Sequence, residues 1–353
     1  MPRGRREEEG KAMSGLALVA PEVRDRLAVR FGAGAHAWCD ALPALVDDLA
    51  VRWDLEPVEA GGGGTSRVFR CRRRGSGSSV WLKLTPDPRV ASEEAEALRA
   101  WAGTPSVVGL VAQDLSAGAL LLEGVEPGVP VKRSGWRLSE VAALLRDLRA
   151  SSPAPGRCTA VRPLPQRVGF LFDLAGRRAA ASGSPEWGVA LGRARAAALE
   201  LASGGPVGLV HGDLHPANVL SGPSGRMVAI DPRPAWGDPD FDAVDWVLAE
   251  AADATGAADP AGPERRAAAP ADLVPGLSPD RVLGWCRVLA ALMAAPGPRA
   301  HRDDPRARFP VEPGRERSPA PLTGAGAVSR RRRRPPSAAR PRGRSAAGSR
   351  AGP

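Results

Sequence analysis

The residue types best suited to chemistry lie together in one stretch of the sequence, residues 209–248. An apolar run leads into His211-Gly212-Asp213, and Asn218 follows after four intervening residues. Further on, two short apolar runs bracket a Gly-Pro-Ser-Gly turn, which predicts a hairpin that delivers Asp231 beside Asn218. The stretch therefore places two carboxylates and one amide on adjacent loops.

This oxygen-rich set suits phosphoryl transfer from a magnesium nucleotide. Mg²⁺ binds a few oxygen ligands together with the phosphates, and a separate aspartate must orient the attacking hydroxyl. We therefore expect Asp213 to accept the proton of a substrate hydroxyl, and Asn218 with Asp231 to hold the metal. Taken singly, each residue fits a helix cap, a turn or a position before proline, but the joint pattern favours catalysis.

A second group of residues upstream fits the phosphates of a nucleotide. The glycines of Gly61–Gly64 lie between two short β-prone runs, so they predict a flexible loop whose backbone approaches a triphosphate closely. Lys83 follows on a predicted strand, where it can reach the α and β phosphates if a helix acid holds it in place. Glu94 is the predicted acid, with Glu93 and Glu96 as alternatives.

The elements that must position these residues fall into two groups. Apolar positions between 23 and 54 predict one or two amphipathic helices that cap a sheet. Strands over 60–88, a helix over 92–101 capped by Ser92, and two more strands predict a small antiparallel sheet carrying one helix. Helices follow over 138–148, 169–181, 185–201 and 279–293. A β-rich first half and a helical second half predict two lobes separated by a cleft.

Taken together, the motifs resemble the aminoglycoside phosphotransferase family, specifically its branch of streptomycin and hydroxyurea kinases. The resemblance covers roughly residues 30–294 and rests on HGDLHPANVL, AIDPRPAWGDPDFDAVDWVL, GGGTSRV, LKLTPD, EAEALRAW and GALLLE. It implies an α+β, two-lobed fold similar to protein kinases, with a small antiparallel sheet lobe and a larger helical lobe. It also implies ATP as the phosphate donor, Mg²⁺ as the metal, and an adenine contact near residues 121–124.

Carried over residue by residue, the resemblance implies the same roles for the aspartates and the amide, and it adds further positions. Asp213 is the expected base, Asn218 and Asp231 are the expected magnesium ligands, and Asp242 is expected to brace the catalytic loop without reacting. The residues expected to contact the nucleotide are Gly62, Gly63, Gly64, Thr65, Ser66, Lys83, Glu94 and Glu123.

The chain organisation predicted from composition has four parts. Residues 1–22 are expected to be a disordered leader, 23–126 the nucleotide-binding lobe, 127–296 the catalytic and substrate lobe, and 297–353 a disordered tail rich in arginine and proline. Charge follows this division, because residues 298–353 carry 15 arginines and 4 acids, whereas the preceding part has 34 bases and 35 acids. The net charge of +10 therefore comes from the tail.

Composition also bears on location and partners. The longest apolar stretches fall far short of the roughly 18–20 residues that cross a bilayer, and the four scattered cysteines favour reduced thiols in a cytoplasmic protein. Consecutive arginines at 330–334 allow a nucleic-acid-binding protein as an alternative function, but no aromatic residue interleaves them for base stacking. Nucleic acid is therefore expected to bind only non-specifically, through the tail.

The predicted acceptor is a small molecule with a hydroxyl group, either an aminoglycoside resembling streptomycin or hydroxyurea, and its phosphorylation gives antibiotic resistance. An unrelated metabolite hydroxyl is the alternative. A polycationic aminoglycoside needs acids on the acceptor side of the cleft. The candidate acids serve equally well as helix caps: Asp238, Asp240, Asp245, Glu250 and Asp253.

Overall fold

Five short strands form the sheet of the first lobe. In the computed structural model, which describes residues 16–62, 65–249 and 262–296, they pair antiparallel in the order β1-β2-β3-β5-β4. The strands are β1 (Leu55–Gly62), β2 (Arg67–Arg73), β3 (Ser79–Leu84), β4 (Leu110–Asp114) and β5 (Ala119–Glu123). The predicted antiparallel sheet is confirmed, with the glycine-rich turn between β1 and β2.

Two helices precede the sheet, as the apolar spacing predicted. They are α1 (Pro21–Phe31) and α2 (Gly34–Arg52). From α2, Leu42 and Leu49 are fully buried against the sheet residues Phe69 and Leu82. Ala17 is buried in the same cluster, so the packed part of the chain extends into the segment that was expected to be a disordered leader.

The helix that crosses behind the sheet begins earlier than the sequence analysis predicted. Helix α3 spans Pro88–Ala100, and the side chain of Asp87 caps it by accepting the N–H of Arg89 at 3.0 Å. The predicted cap, Ser92, therefore lies within the helix and the prediction is wrong at this end. Proline fits the first helical turn because its missing N–H is not needed there. Glu94 lies on the inner face of this helix and is 1% exposed.

The second lobe is mainly helical, as predicted. Its helices are α4 (Val131–Ser134), α5 (Leu138–Ala150), α6 (Leu164–Ala181), α7 (Trp187–Ser203), α8 (Val244–Ala249), α9 (Gly262–Ala268) and α10 (Pro279–Ala294). Helix α6 starts five residues before the predicted position, since Pro165 is accommodated in its first turn. The apolar faces of these helices form one core that also reaches α3 and β5.

Short strands between α7 and α8 carry the loops of the motif stretch. Strand β7 (Gly208–Val210) pairs with β10 (Ala235–Gly237), and β8 (Val219–Ser221) pairs with β9 (Met227–Ala229) in the predicted hairpin. Strand β8 also pairs with β6 (Val129–Pro130). The segment after α3 binds β9 through Val108 N–H, which donates to the Ala229 carbonyl at 3.0 Å. This contact ties the two lobes together beside the cleft.

Three further expectations concern thiols, membranes and the tail. Cys39, Cys71, Cys158 and Cys286 are all buried, and none forms a disulfide. No helix within the described ranges combines the length and apolar character that a membrane span requires. The tail predicted over 297–353 lies outside the described residues, as do residues 1–15 of the predicted leader. The four-part organisation as a whole stays a prediction.

Candidate active site

The loop after β7 is held in place by a buried carboxylate on the following segment. Asp242 accepts the N–H of His211 at 2.7 Å and the N–H of Gly212 at 2.8 Å. Burial raises the pKa of Asp242 to about 6, and the two backbone donors favour its charged form. Asp242 therefore orients the backbone that leads into Asp213, as the resemblance implied.

Only glycine fits between His211 and Asp213. Gly212 has φ +74°, and a side chain there would overlap the carbonyl oxygen of Arg233. The carbonyl of Gly212 accepts two hydrogen bonds from Arg167, at 3.0 and 2.5 Å. His211 is fully buried with its Nε2 3.1 Å from the Ile230 carbonyl oxygen, and burial lowers its pKa to about 4. The histidine is therefore a neutral packing residue rather than a reacting one.

Asp213 and Asn218 lie side by side at the mouth of this loop. The amide nitrogen of Asn218 donates to Oδ2 of Asp213 at 3.2 Å and to its carbonyl oxygen at 3.0 Å. The peptide carbonyl of Asn218 accepts the N–H of Ile230 at 2.9 Å, so Asp231, the next residue after Ile230, is brought close to Asn218 just beyond the end of β9. The predicted convergence of a carboxylate, an amide and a second carboxylate is present in the structure.

Lys83 reaches this cluster from the sheet lobe. Its ammonium donates to both oxygens of Glu94 at 2.6 Å and to Oδ1 of Asp231 at 2.5 Å. The lysine is only 4% exposed, so its charge is held inside the protein and not in solvent. The rival acids have other partners, since Glu93 pairs with Arg162 and Glu96 accepts the N–H of Ala160.

Asp231 is a carboxylate of the cleft that contacts two cations, Lys83 and Arg233. Its backbone has φ +56°, a conformation that is uncommon for residues other than glycine and frequent at functional sites. Burial opposes its ionisation, but the cations of Arg233, 3.0 Å away, and of Lys83 hold the pKa of this carboxyl well below its ordinary value. Asp231 therefore stays a carboxylate at neutral pH and can face a cation.

The donor set fits a magnesium ion shared with phosphates. The amide nitrogen of Asn218 is occupied by Asp213, which leaves its amide oxygen for a hard cation, and Asp231 supplies a carboxylate. Among the described residues, no three His, Cys, Asp or Glu side chains cluster as a metal site. A cation held here needs oxygen ligands from phosphate as well, which is how Mg²⁺ is bound in phosphotransferases.

The glycine-rich turn lies over the same cleft as far as the structure describes it. Gly62 ends β1 opposite Arg67, whereas Gly63 and Gly64 lie outside the described residues. The hydroxyl of Thr65 accepts a short hydrogen bond from Arg233, and Ser66 is buried. The turn is therefore linked to the catalytic lobe through an arginine that the sequence analysis did not single out.

Glu123 has a different position from the rest of the predicted nucleotide contacts. It ends β5 with an exposed side chain, and its N–H donates to the Gly109 carbonyl at 2.9 Å. The next N–H, that of Gly124, donates to Ser79 at 3.0 Å. These two backbone donors are occupied within the protein, so they do not serve adenine, and a role for Glu123 in nucleotide binding stays a prediction.

Two of the acids considered for the acceptor side belong to the scaffold. Asp238 is fully buried and binds Arg281 at 2.7 Å and the indole N–H of Trp285 at 2.7 Å. Asp240 is buried and binds Arg149 at 2.6 Å. Asp245 lies in the first turn of α8, and Glu250 and Asp253 fall outside the described residues. Asp238 and Asp240 are thus structural, and neither is available to a cationic substrate.

Comparison with known proteins agrees with this geometry. The sequence profile described as "Aminoglycoside/hydroxyurea antibiotic resistance kinase" matches residues 52–300. The chain is 33% identical over 215 residues to a streptomycin 6-kinase from Streptomyces glaucescens, covering 60% of this chain and 68% of that protein. It is 32% identical over 224 residues to a hydroxyurea phosphotransferase from Kitasatospora aureofaciens, covering 60% of this chain and 62% of that protein.

Among solved structures, an ethanolamine kinase from Plasmodium vivax superposes with a TM-score of 0.51 at 10% identity, covering 84% of this chain and 88% of that one. The likeness concerns the fold alone, and with it the expected two-lobed, protein-kinase-like architecture is confirmed. The profile match over residues 52–300 and the 33% identity to the streptomycin 6-kinase show the family of this chain. The chain belongs to the aminoglycoside and hydroxyurea antibiotic resistance kinases, and it is a phosphotransferase with an alcohol group as acceptor.

Proposed function

We propose that this chain transfers the γ-phosphate of ATP to a hydroxyl group of a small molecule, with Mg²⁺ as the metal. The observation that carries the proposal is the meeting of four side chains at the cleft. Asp213 hydrogen bonds to Asn218, Asn218 adjoins Asp231 through the β8–β9 hairpin, and Asp231 binds Lys83 from the other lobe. A phosphotransferase site requires these groups in this proximity.

Each side chain has a defined task in this proposal. Asp213 accepts a hydrogen bond from the acceptor hydroxyl and receives its proton as the oxygen attacks phosphorus. Lys83, fixed by Glu94, neutralises charge on the nucleotide phosphates. Asn218 and Asp231 would hold Mg²⁺, which neutralises charge on the transferring phosphate when bound. Asp242 and Gly212 keep Asp213 in place, so they act as positioning residues.

Streptomycin and hydroxyurea are the acceptors to test first, because two relatives are named for phosphotransfer to them. Because Asp238 and Asp240 are buried in scaffold contacts, a cationic acceptor such as streptomycin would have to be bound by other carboxylates. A cationic acceptor gains affinity from carboxylates exposed to it, and these two acids are not.

The proposal is tested by incubating the purified chain with Mg-ATP and each acceptor, and detecting the phosphorylated product by mass spectrometry and ³¹P NMR. Asp213→Asn should lower turnover by about two to four orders of magnitude, which is the contribution expected of a general base. Asp173→Asn, on the exposed face of α6, is the matched control and should leave turnover unchanged. Equal turnover in the two variants would remove Asp213 from the mechanism.

A further inference from the structure

A cavity of about 550 Å³ lies beside the catalytic loop, where α1 meets α6. Arg30 from α1 lines one side of it, and Arg167 and Phe170 from α6 line the other. Arg167 also donates to the carbonyl oxygen of Gly212 at 3.0 Å, and Gly212 immediately precedes Asp213. The cavity therefore adjoins the point where the acceptor hydroxyl must meet the catalytic base.

The arginines of this cavity are held in two different ways. Three of them form ion pairs: Arg89 with Asp87 at 3.1 Å, Arg162 with Glu93 at 2.6 Å, and Arg233 with Asp231 at 3.0 Å. A fourth, Arg167, binds the catalytic loop and is close enough to Asp213 to be influenced by its charge. Arg30 is held by aromatic rings instead.

The guanidinium of Arg30 lies 5.3 Å from the centroid of the Phe170 ring and 5.6 Å from that of Phe31. A cation at this distance over an aromatic face is attracted by the quadrupole of the ring. Burial and two neighbouring arginines lower the pKa of Arg30 to about 10, and the charge of Asp213 opposes this shift. Arg30 is therefore a cation at neutral pH, near the catalytic aspartate.

The contact between Arg30 and Phe170 joins the two lobes on the acceptor side of the cleft. Helix α1 lies outside the segment matched by the family profile, which begins at residue 52. Leu27 is the buried residue that packs α1 against its neighbours, whereas Arg30 is half-buried. A long arginine side chain regains rotamer freedom when it is released. Arg30 can therefore leave the ring while α1 stays packed.

We propose that the ring of Phe170 is a subsite for a cationic group of the acceptor, and that Arg30 occupies this subsite until the acceptor displaces it. A guanidinium or ammonium group in place of Arg30 keeps one positive charge over the ring and near Asp213. The inference rests on the proposed phosphotransfer and deepens it, because it names a contact for the guanidinium groups of an acceptor such as streptomycin. The uncharged hydroxyurea has no group that competes with Arg30.

Streptomycin binding tests the subsite, measured by calorimetry on the full chain saturated with Mg²⁺ and AMP-PNP. A ligand that must displace an occupant binds with reduced apparent affinity. Arg30→Gln removes the occupant, so streptomycin should bind about threefold to thirtyfold more tightly, the range that a cation–π contact supports. Arg30→Met, which keeps the length of the side chain, should give a similar gain. Arg30→Lys keeps the cation and should bind close to the wild type.

The Phe170→Leu background separates occupation of the ring from general repulsion between cations. If Arg30 competes for the ring, Arg30→Gln should give little gain in affinity once the aromatic face is absent. A gain of the same size in both backgrounds would show long-range repulsion and overturn the proposal. Arg26→Gln, at an exposed position on the same helix, is the matched control and should bind streptomycin like the wild type.

Hydroxyurea and the nucleotide supply the remaining comparisons. The affinities for hydroxyurea and for AMP-PNP should be the same in Arg30→Gln and the wild type. Equal streptomycin affinity in these two proteins, or no streptomycin binding to either, would overturn the subsite.

Failure of the proposed function gives a different result from failure of the subsite. The same proteins are incubated with Mg-ATP and each acceptor, and the products are analysed by ³¹P NMR. If neither acceptor is phosphorylated, the phosphotransfer to these acceptors fails, whatever the binding series shows. If streptomycin is phosphorylated and its affinity is unchanged by Arg30→Gln, the phosphotransfer stands and the subsite is refuted.

Discussion

Lys83 forms the most buried ion pair of the cleft, and replacing it should destabilise the fold sharply. In Lys83→Met the carboxylate of Glu94, 1% exposed, loses both hydrogen bonds from its ammonium partner. Removing one member of a buried pair typically costs about 3–5 kcal/mol, a large part of the 5–15 kcal/mol that stabilises an average domain. Asp231 retains Arg233 at 3.0 Å, so the loss falls mainly on Glu94.

The cost should depend on pH in a definite direction. Burial raises the pKa of Glu94, and removing the opposing charge of Lys83 raises it further. The folded variant therefore binds more protons than the unfolded chain between the ordinary pKa of a glutamate and this raised value, so its stability falls as pH rises through that window. The destabilisation of Lys83→Met relative to wild type should be smaller at pH 5 than at pH 8.

Urea denaturation followed by tryptophan fluorescence measures these differences in the full chain, which has nine tryptophans. The double variant Lys83→Met with Glu94→Leu leaves no buried carboxylate and should recover most of the lost stability, because apolar replacement of a whole buried pair is often neutral. Lys132→Met, at an exposed position, is the control and should change stability by less than about 0.5 kcal/mol. A loss of stability below about 1 kcal/mol for Lys83→Met, or no recovery of stability in the double variant, would refute the claim that Lys83 and Glu94 form a stabilising buried ion pair.

Three further changes test the positioning of Asp213 and the domain boundary. Gly212→Ala should cost more than about 1 kcal/mol in urea denaturation and abolish turnover, because its φ of +74° and the Arg233 carbonyl exclude a side chain. Gly176→Ala, in open space on α6, is the control and should neither destabilise the fold nor abolish turnover. Asp242→Asn cannot accept both loop N–H groups, so kcat should fall about tenfold or more in steady-state assays while calorimetric affinity for AMP-PNP stays near wild type. A chain shortened to end at Pro298 should keep phosphotransfer activity in the same assay. Loss of activity would show that the predicted boundary between the catalytic lobe and the tail is wrong.

Sequence patterns predicted which residues of the cleft come together, because these residues are tied to one another by local geometry. The turn between β8 and β9 has the residues of a hairpin, and pairing along that hairpin necessarily brings Asp231 next to Asn218. Glu94 was predicted correctly as the acid of α3 that binds Lys83, although the start of α3 was not. Ser92 matches the capping preference, but Asp87 followed by Pro88 is a stronger start, because the aspartate caps and the proline needs no N–H.

Three arginines that line one cavity, Arg30, Arg167 and Arg233, were not predicted to meet because nothing in the sequence links them. Arg30, Arg167 and Arg233 come from α1, α6 and the segment before β10, and only the packing of the two lobes brings them together. The roles of Asp238 and Asp240 were equally undecidable from spacing. An acid near a helix start fits either a cap or a substrate contact, and the distinction depends on Arg149 and Arg281, which lie on distant helices.

The central claim is that Asp213, Asn218, Asp231 and Lys83 form one phosphotransfer site. A crystal structure of the full chain with AMP-PNP and Mn²⁺ tests it most directly, since anomalous scattering locates the manganese. The metal should be bound by the amide oxygen of Asn218 and the carboxylate of Asp231, with Asp213 facing the γ-phosphate and Lys83 contacting the α or β phosphate. Manganese bound elsewhere, or a nucleotide outside the cleft, would contradict the account.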